Sequence, residues 1–186
     1  HYPDRIDEVT SRTDDLRPKI QRLIRRARRA DASIVVFGHW HLPFAVEEDG
    51  ILLINPGTTE LGSAVFRQLI QTAAVLELPA NGTPTVNHVD LANPSSVFRP
   101  LIDFDAGFLA TQKQYIREFR SPELLKDSPR IRAGFEQIIT ENARMPVYRA
   151  LNVAAHPVWR DEQDFVTRQA WVEAIRASVE IPADVQ

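Results

Sequence analysis

His39 and His41 stand one residue apart in Gly38-His39-Trp40-His41-Leu42-Pro43, in a chain of 186 residues with only five histidines. Neutral imidazole is a good transition-metal ligand, so the pair suggests metal binding. Residues 33–37 (SIVVF) are a β-branched apolar run that reads as a buried strand. Gly38 follows. Glycine serves where the backbone turns sharply or is closely approached, so a positive φ or a close neighbour is expected at Gly38. Both histidines then lie on a loop beyond the carboxyl end of a strand, where open α/β sheets bind ligands. If that loop is extended, side chains at i and i+2 point to one side. Chance pairs with this spacing also occur, and the spacing alone decides nothing. A second apolar strand, 51–54 (ILLI), runs directly into Asn55-Pro56-Gly57-Thr58, so two strands end in turn-forming segments that could share a site.

Other elements must position these loops. Residues 13–30 carry Leu16, Ile20, Leu23, Ile24 and Ala27 at helical spacing, with Asp14 and Asp15 at the start and Pro18 in the first turn. The arginines at 22, 25, 26, 28 and 29 read as a solvated helix face in preference to a phosphate-binding patch. Residues 72–78 and 85–91 read as a hairpin around Asn81-Gly82, with His88 on the strand surface. Arg67 either reaches a substrate phosphate or forms a surface salt bridge.

The segment from Gly38 to Pro43, a strand pair turning through Glu47-Glu48-Asp49-Gly50, and Asn55-Pro56-Gly57-Thr58 together resemble the last motif region of the calcineurin-like metallophosphoesterases. The resemblance is close over about residues 30–91 and looser over 1–91; Trp40 departs from the smaller residue usual between the histidines. It implies an α/β fold, namely the C-terminal half of a metallophosphoesterase β-sandwich flanked by helices, over residues 1–92. A helical extension follows over 93–186. It implies that His39 and His41 serve two metal ions, joined by His1 in place of an upstream motif histidine. Tyr2 stands where glycine is usual, and the alternative for His1 is a terminal residue without a role. Asn55, Gly57 and Arg67 would face the substrate. The two divalent ions would be manganese, iron, zinc or nickel. The family's Asp-x-His, Gly-Asp and Gly-Asn-His motifs do not occur in this sequence. The chain is therefore expected to be the C-terminal portion of a longer protein, inert alone and partnered by the N-terminal half of the domain.

Composition fits this reading. At 44% apolar residues the chain can bury a core. A net charge of −3 gives no general drive toward nucleic acid or acidic membranes; a small phosphorylated substrate is what the resemblance implies, with nucleic acid second. With no cysteine, neither a disulfide framework nor a thiolate metal site exists. No apolar run approaches a membrane span of about 20 residues, and a cytoplasmic location is expected. Past Asn93-Pro94-Ser95-Ser96 the pattern turns helical. It predicts helices over 105–119 with Asp105 as cap, after Ser121-Pro122 and Ser128-Pro129, and over about 161–180. Asp103 and Asp105 read as caps before they read as metal ligands, and His156-Pro157 reads as an extended junction.

The reading is a metal-dependent phosphoesterase that hydrolyses a phosphodiester or phosphomonoester. The alternatives are an inactive phosphoesterase-fold scaffold for protein partners and a DNA-end nuclease served by the arginine helix.

Overall fold

In the computed structural model, residues 15–138 and 141–183 are described. His1 lies outside them, as do Asp14 and the start of the expected first helix. The first element is α1 (Leu16–Arg29), capped by Asp15, whose carboxylate accepts from the Arg17 amide at 2.9 Å. The five apolar residues of the expected stripe are all buried, and Lys19 is buried beside them. The arginines lie off this stripe, and Arg28 pairs with Asp49.

Three short strands follow: β1 (Ile34–Val36), β2 (Pro43–Glu48) and β3 (Ile51–Pro56). Their order is β1-β3-β2, with β3 parallel to β1 and antiparallel to β2. As the centre strand, β3 buries Ile51, Leu53, Ile54 and Asn55, the near-continuous burial that its apolar run anticipates. Asp49 (φ 55°) and Gly50 (φ 72°) make the tight β2–β3 turn, which takes left-handed backbone at both central positions. Strand β4 (Phe66–Gln68) precedes the hairpin of β5 (Thr72–Glu77) and β6 (Thr85–Asp90), paired from Thr72↔Asp90 to Glu77↔Thr85.

The expected helix over 105–119 is not formed. Its place is taken by a five-residue helix, α2 (Phe108–Gln112), and a strand, β7 (Ile116–Glu118), which pairs with β4. Gly107, not Asp105, precedes the helix. Asp105 pairs with Arg17, while the Asp103 carboxylate accepts from the amides of Asp105 and Ala106. Here burial overrides helical spacing. Phe98, Ile102, Phe104, Phe108 and Tyr115 all pack into the core formed by α1 and the first sheet. The Tyr115 hydroxyl donates to the Leu101 carbonyl and accepts the Leu101 amide, both at 3.0 Å.

The C-terminal region is helical. Helix α3 (Pro122–Ile138) begins with Pro122 after Ser121, whose hydroxyl accepts the Leu124 amide. Two helices were expected here, the second starting at Pro129; instead α3 continues through Pro129, and Ser128 donates to the Leu124 carbonyl. Helix α4 (Glu141–Trp159) was not foreseen and includes His156-Pro157, so the expected extended junction is helical. Helix α5 (Arg168–Ala177) is shorter than the expected 161–180. Phe165 and Val179 are exposed, and the core takes Val166, Trp171 and Ile181 instead. Thr167 caps α5, its hydroxyl accepting the Ala170 amide at 3.2 Å. Thr167→Ala is expected to cost about 1 kcal/mol of stability, read as a lower denaturant midpoint at unchanged slope. An unchanged midpoint would rule out this cap.

Packing divides the chain into two compact units. One comprises the described residues up to Glu60 with Leu69–Ile116; the other comprises Leu61–Gln68 with the described residues from Arg117 onward. The expected 1–92/93–186 division rests on the resemblance and on the composition change near Asn93-Pro94-Ser95-Ser96, whereas these units are defined by packing. Among the described residues, no helix is long and apolar enough to cross a membrane.

Candidate metal-ligand loop

The loop from Gly38 to Leu42 departs from an extended course at both histidines, with φ of 74° at His39 and 56° at His41. Left-handed backbone is uncommon outside glycine, although histidine is among the residues enriched there, and it clusters at functional sites. Gly38, by contrast, has no positive φ, and a Cβ built on it meets nothing within 4 Å. The expectation for Gly38 is therefore wrong: the turn is made by the histidines themselves.

What holds the histidines in place is the residue between them. Trp40 is 2% exposed and anchored in the first unit's core. Its ring meets Phe37 edge-on at 4.9 Å, Phe108 at 5.8 Å and Phe44 at 5.8 Å. Leu42 is fully buried as well. Trp40 and Leu42 thus fix the loop from the core side, while His39 is exposed and His41 half-buried. The larger residue in the motif is a packing anchor.

The Asn-Pro-Gly segment braces this loop from below. Asn55 is fully buried, and its amide donates to the Gly38 carbonyl at 3.4 Å and accepts the Gly57 amide at 3.0 Å. One side chain therefore links the histidine loop to the end of β3. Thr72 donates to the Pro56 carbonyl at 2.8 Å, and its amide donates to Thr58. Gly57 has φ 85° and packs so tightly that an added Cβ would fall 1.8 Å from the Thr72 hydroxyl. Both loops are pinned by hydrogen bonds that are buried or partly buried.

His88 was read as a strand-surface residue. It is instead buried, at 7% exposure, and its Nε2–H donates to the Asn55 carbonyl at 2.9 Å. Burial holds its pKa below the ordinary value, with the hydrogen bond to Asn55 acting the other way. Alternation along β6 shows which face His88 takes only once the side covered by β3 is known.

Burial also lowers the pKa of His39, with the neighbouring charge of His41 adding to the effect. His39 is exposed as a residue, yet its surroundings still disfavour the charged ring. The pKa of His41 is lowered by burial, partly offset by Glu60. Both shifts favour the neutral ring, the form in which an imidazole ligates a metal. That chemistry fits a metal-ligand role. Among the described residues, no group of three or more His, Cys, Asp or Glu gathers to hold a metal ion, so the local donor set is the pair. The third expected ligand, His1, falls outside the described residues.

These depressed histidines set the sign of a pH effect. In the unfolded chain an imidazole takes up a proton near pH 6.5, whereas the folded protein resists protonation to lower pH. Stability is complete above about pH 6.5 and falls as pH drops from there toward the folded pKa. His88→Gln, which keeps a donor for Asn55, should show a shallower loss of melting temperature between pH 7.5 and 5 than the parent. Parallel curves would remove His88 from this account.

Arg67 lies in the second unit, on β4, and is ion-paired to Asp161, the salt-bridge alternative weighed for it.

Residues 7–81, a stretch that includes both histidines and the Asn-Pro-Gly turn, match the calcineurin-like phosphoesterase superfamily domain. Among solved structures, the chain is similar to a conserved uncharacterized protein from Streptococcus pneumoniae described as a predicted phosphoesterase. The two are 27% identical, with 41% of this chain and 42% of the other covered and a TM-score of 0.33. The chain thus spans less than half of that relative's length. Among curated proteins, nothing matches.

Proposed function

We propose that the chain contributes His39 and His41 to the metal centre of a phosphoesterase. One observation carries this reading: two neutral imidazoles on left-handed backbone, separated by a tryptophan locked in the core. That arrangement presents two nitrogen donors with little freedom to move, as a metal site needs. Divalent transition-metal ions, when bound, supply positive charge to a phosphoryl oxygen and acidify a water molecule. Asn55 positions the site by tying the histidine loop to the Asn-Pro-Gly turn, and Gly57 allows that turn to close against Thr72. With its side chain already committed on both sides, Asn55 acts through the backbone it holds. The substrate class is a phosphodiester or phosphomonoester.

The rest of the site would come from the family's Asp-x-His, Gly-Asp and Gly-Asn-His motifs, absent from these 186 residues. The carboxylates of those motifs keep two close dications from repelling each other. The 186-residue chain alone is accordingly expected to be inert. The test joins this chain to those motifs in one polypeptide. Bis(4-nitrophenyl) phosphate, 4-nitrophenyl phosphate, cyclic nucleotides and dinucleoside polyphosphates are offered with manganese, iron, zinc or nickel. Hydrolysis that is lost on chelation and regained with metal is expected. Hydrolysis indifferent to chelation would overturn the proposal, and metal-dependent hydrolysis by residues 1–186 alone would overturn the expectation that this chain is inert by itself.

A further inference from the structure

The second unit holds a cavity of about 400 Å³, within the size range of small-molecule sites. Its walls include Phe135, Leu151 and Trp171, and its polar lining includes Arg120, Ser128 and Arg144. Among the described residues, no carboxylate lines it. We propose that this cavity binds an amphipathic monocarboxylate, an aromatic or aliphatic body with one anionic head, through Arg144 and the Trp171 indole.

Charge accounting selects the head. Arg120 gives Nε and Nη2 to the two carboxylate oxygens of Glu118, at 2.8 and 2.6 Å, and Nη1 to Ser128 at 2.8 Å. Glu118 therefore balances the Arg120 charge. Arg144 forms no ion pair among the described residues, which leaves one net positive charge at the lining. A single carboxylate matches it; a phosphate dianion would bring one charge too many.

The indole supplies an independent observation. Trp171 is 8% exposed, and its Nε1–H is buried without a hydrogen-bond partner among the described residues. A buried donor left unsatisfied costs free energy, and an acceptor in the cavity would recover it. Trp159, by comparison, donates its Nε1–H to the Ser63 carbonyl at 3.2 Å. The apolar walls provide the rest of the affinity by covering the ligand's body. This cavity lies wholly in the second unit and is independent of the metal-ligand reading.

The test uses the intact chain and matched probes that differ only in the head: 4-phenylbutyrate, 4-phenylbutan-1-ol and 4-phenylbutylamine, with phenyl phosphate as the dianion. Calorimetry should show 1:1 binding of 4-phenylbutyrate, at least tenfold tighter than the alcohol, with the amine and phenyl phosphate weaker still. Arg144→Gln should weaken the carboxylate about tenfold and leave the alcohol within twofold. Trp171→Phe, which keeps the ring and removes the donor, should weaken the carboxylate by several-fold. Circular dichroism confirms that each variant is folded, and Arg144→Gln, on an exposed side chain, serves if Trp171→Phe does not fold. Equal affinity for carboxylate and alcohol, no effect of Arg144→Gln, or no binding at millimolar probe would overturn the proposal. Tighter binding of phenyl phosphate would overturn the choice of a carboxylate.

Discussion

His39→Asn and His41→Asn are each expected to lower metal-dependent phosphoester turnover by on the order of 100-fold or more while the protein stays folded. Each removes one nitrogen donor from a loop whose fold is secured elsewhere, by Trp40 and Leu42 in the core and by Asn55 from β3. Asparagine is the better replacement at both positions because it tolerates left-handed backbone, and φ is 74° at His39 and 56° at His41. Alanine would add about 1–2 kcal/mol of backbone strain and blur the result. The measurement is turnover in a polypeptide made by joining this chain to the superfamily's Asp-x-His, Gly-Asp and Gly-Asn-His motifs, paired with an unfolding midpoint for each variant. Turnover within a few-fold of the parent in both variants would remove these residues from the site.

Gly57→Ala should be the most damaging small substitution near the site, at about 3–5 kcal/mol. Two costs combine. Alanine at φ 85° pays the left-handed penalty, and its Cβ would lie 1.8 Å from the Thr72 hydroxyl, which itself holds the Pro56 carbonyl. Adding Thr72→Ala separates the two, because it deletes the colliding oxygen and leaves the dihedral cost. The double variant should recover at least about 1 kcal/mol relative to Gly57→Ala in urea unfolding. If it is no more stable, the collision is not the cause. Gly38→Ala is the natural control: with open space around it and no positive φ, it should change stability by less than about 1 kcal/mol.

The histidine spacing, the apolar runs on both sides and the Asn-Pro-Gly turn were enough to read the family from sequence, and the match over residues 7–81 agrees. Helix α1, the first sheet and the β5–β6 hairpin were legible because each shows one clean period and ends in a recognisable cap or turn. What sequence did not show was which partner decides a local choice. Gly38 looked like the strained residue, but a fixed Trp40 passes the strain to the histidines. His88 looked exposed because nothing in its own strand says that β3 covers that face. Helix α4 carries Ala143, Val147, Leu151, Ala155 and Val158 in the core at helical spacing. Pro146 and Pro157 obscured that period, since proline is read as a breaker although core packing can outweigh one lost hydrogen bond. The segment around Tyr115 misled in the opposite sense: its apolar spacing suits a helix, yet its residues complete a core built by elements far away in sequence.

The most direct test of the central claim, that His39 and His41 act together as metal donors, needs no substrate. Zinc is titrated into the 186-residue chain while the imidazole nitrogens are followed by NMR, with His39→Asn and His41→Asn measured alongside. The account predicts one weakly bound ion, shifts at both His39 and His41, no shift at buried His88, and at least tenfold weaker binding in either variant. Unchanged zinc affinity in the variants, or binding that leaves both imidazoles unperturbed, would contradict it.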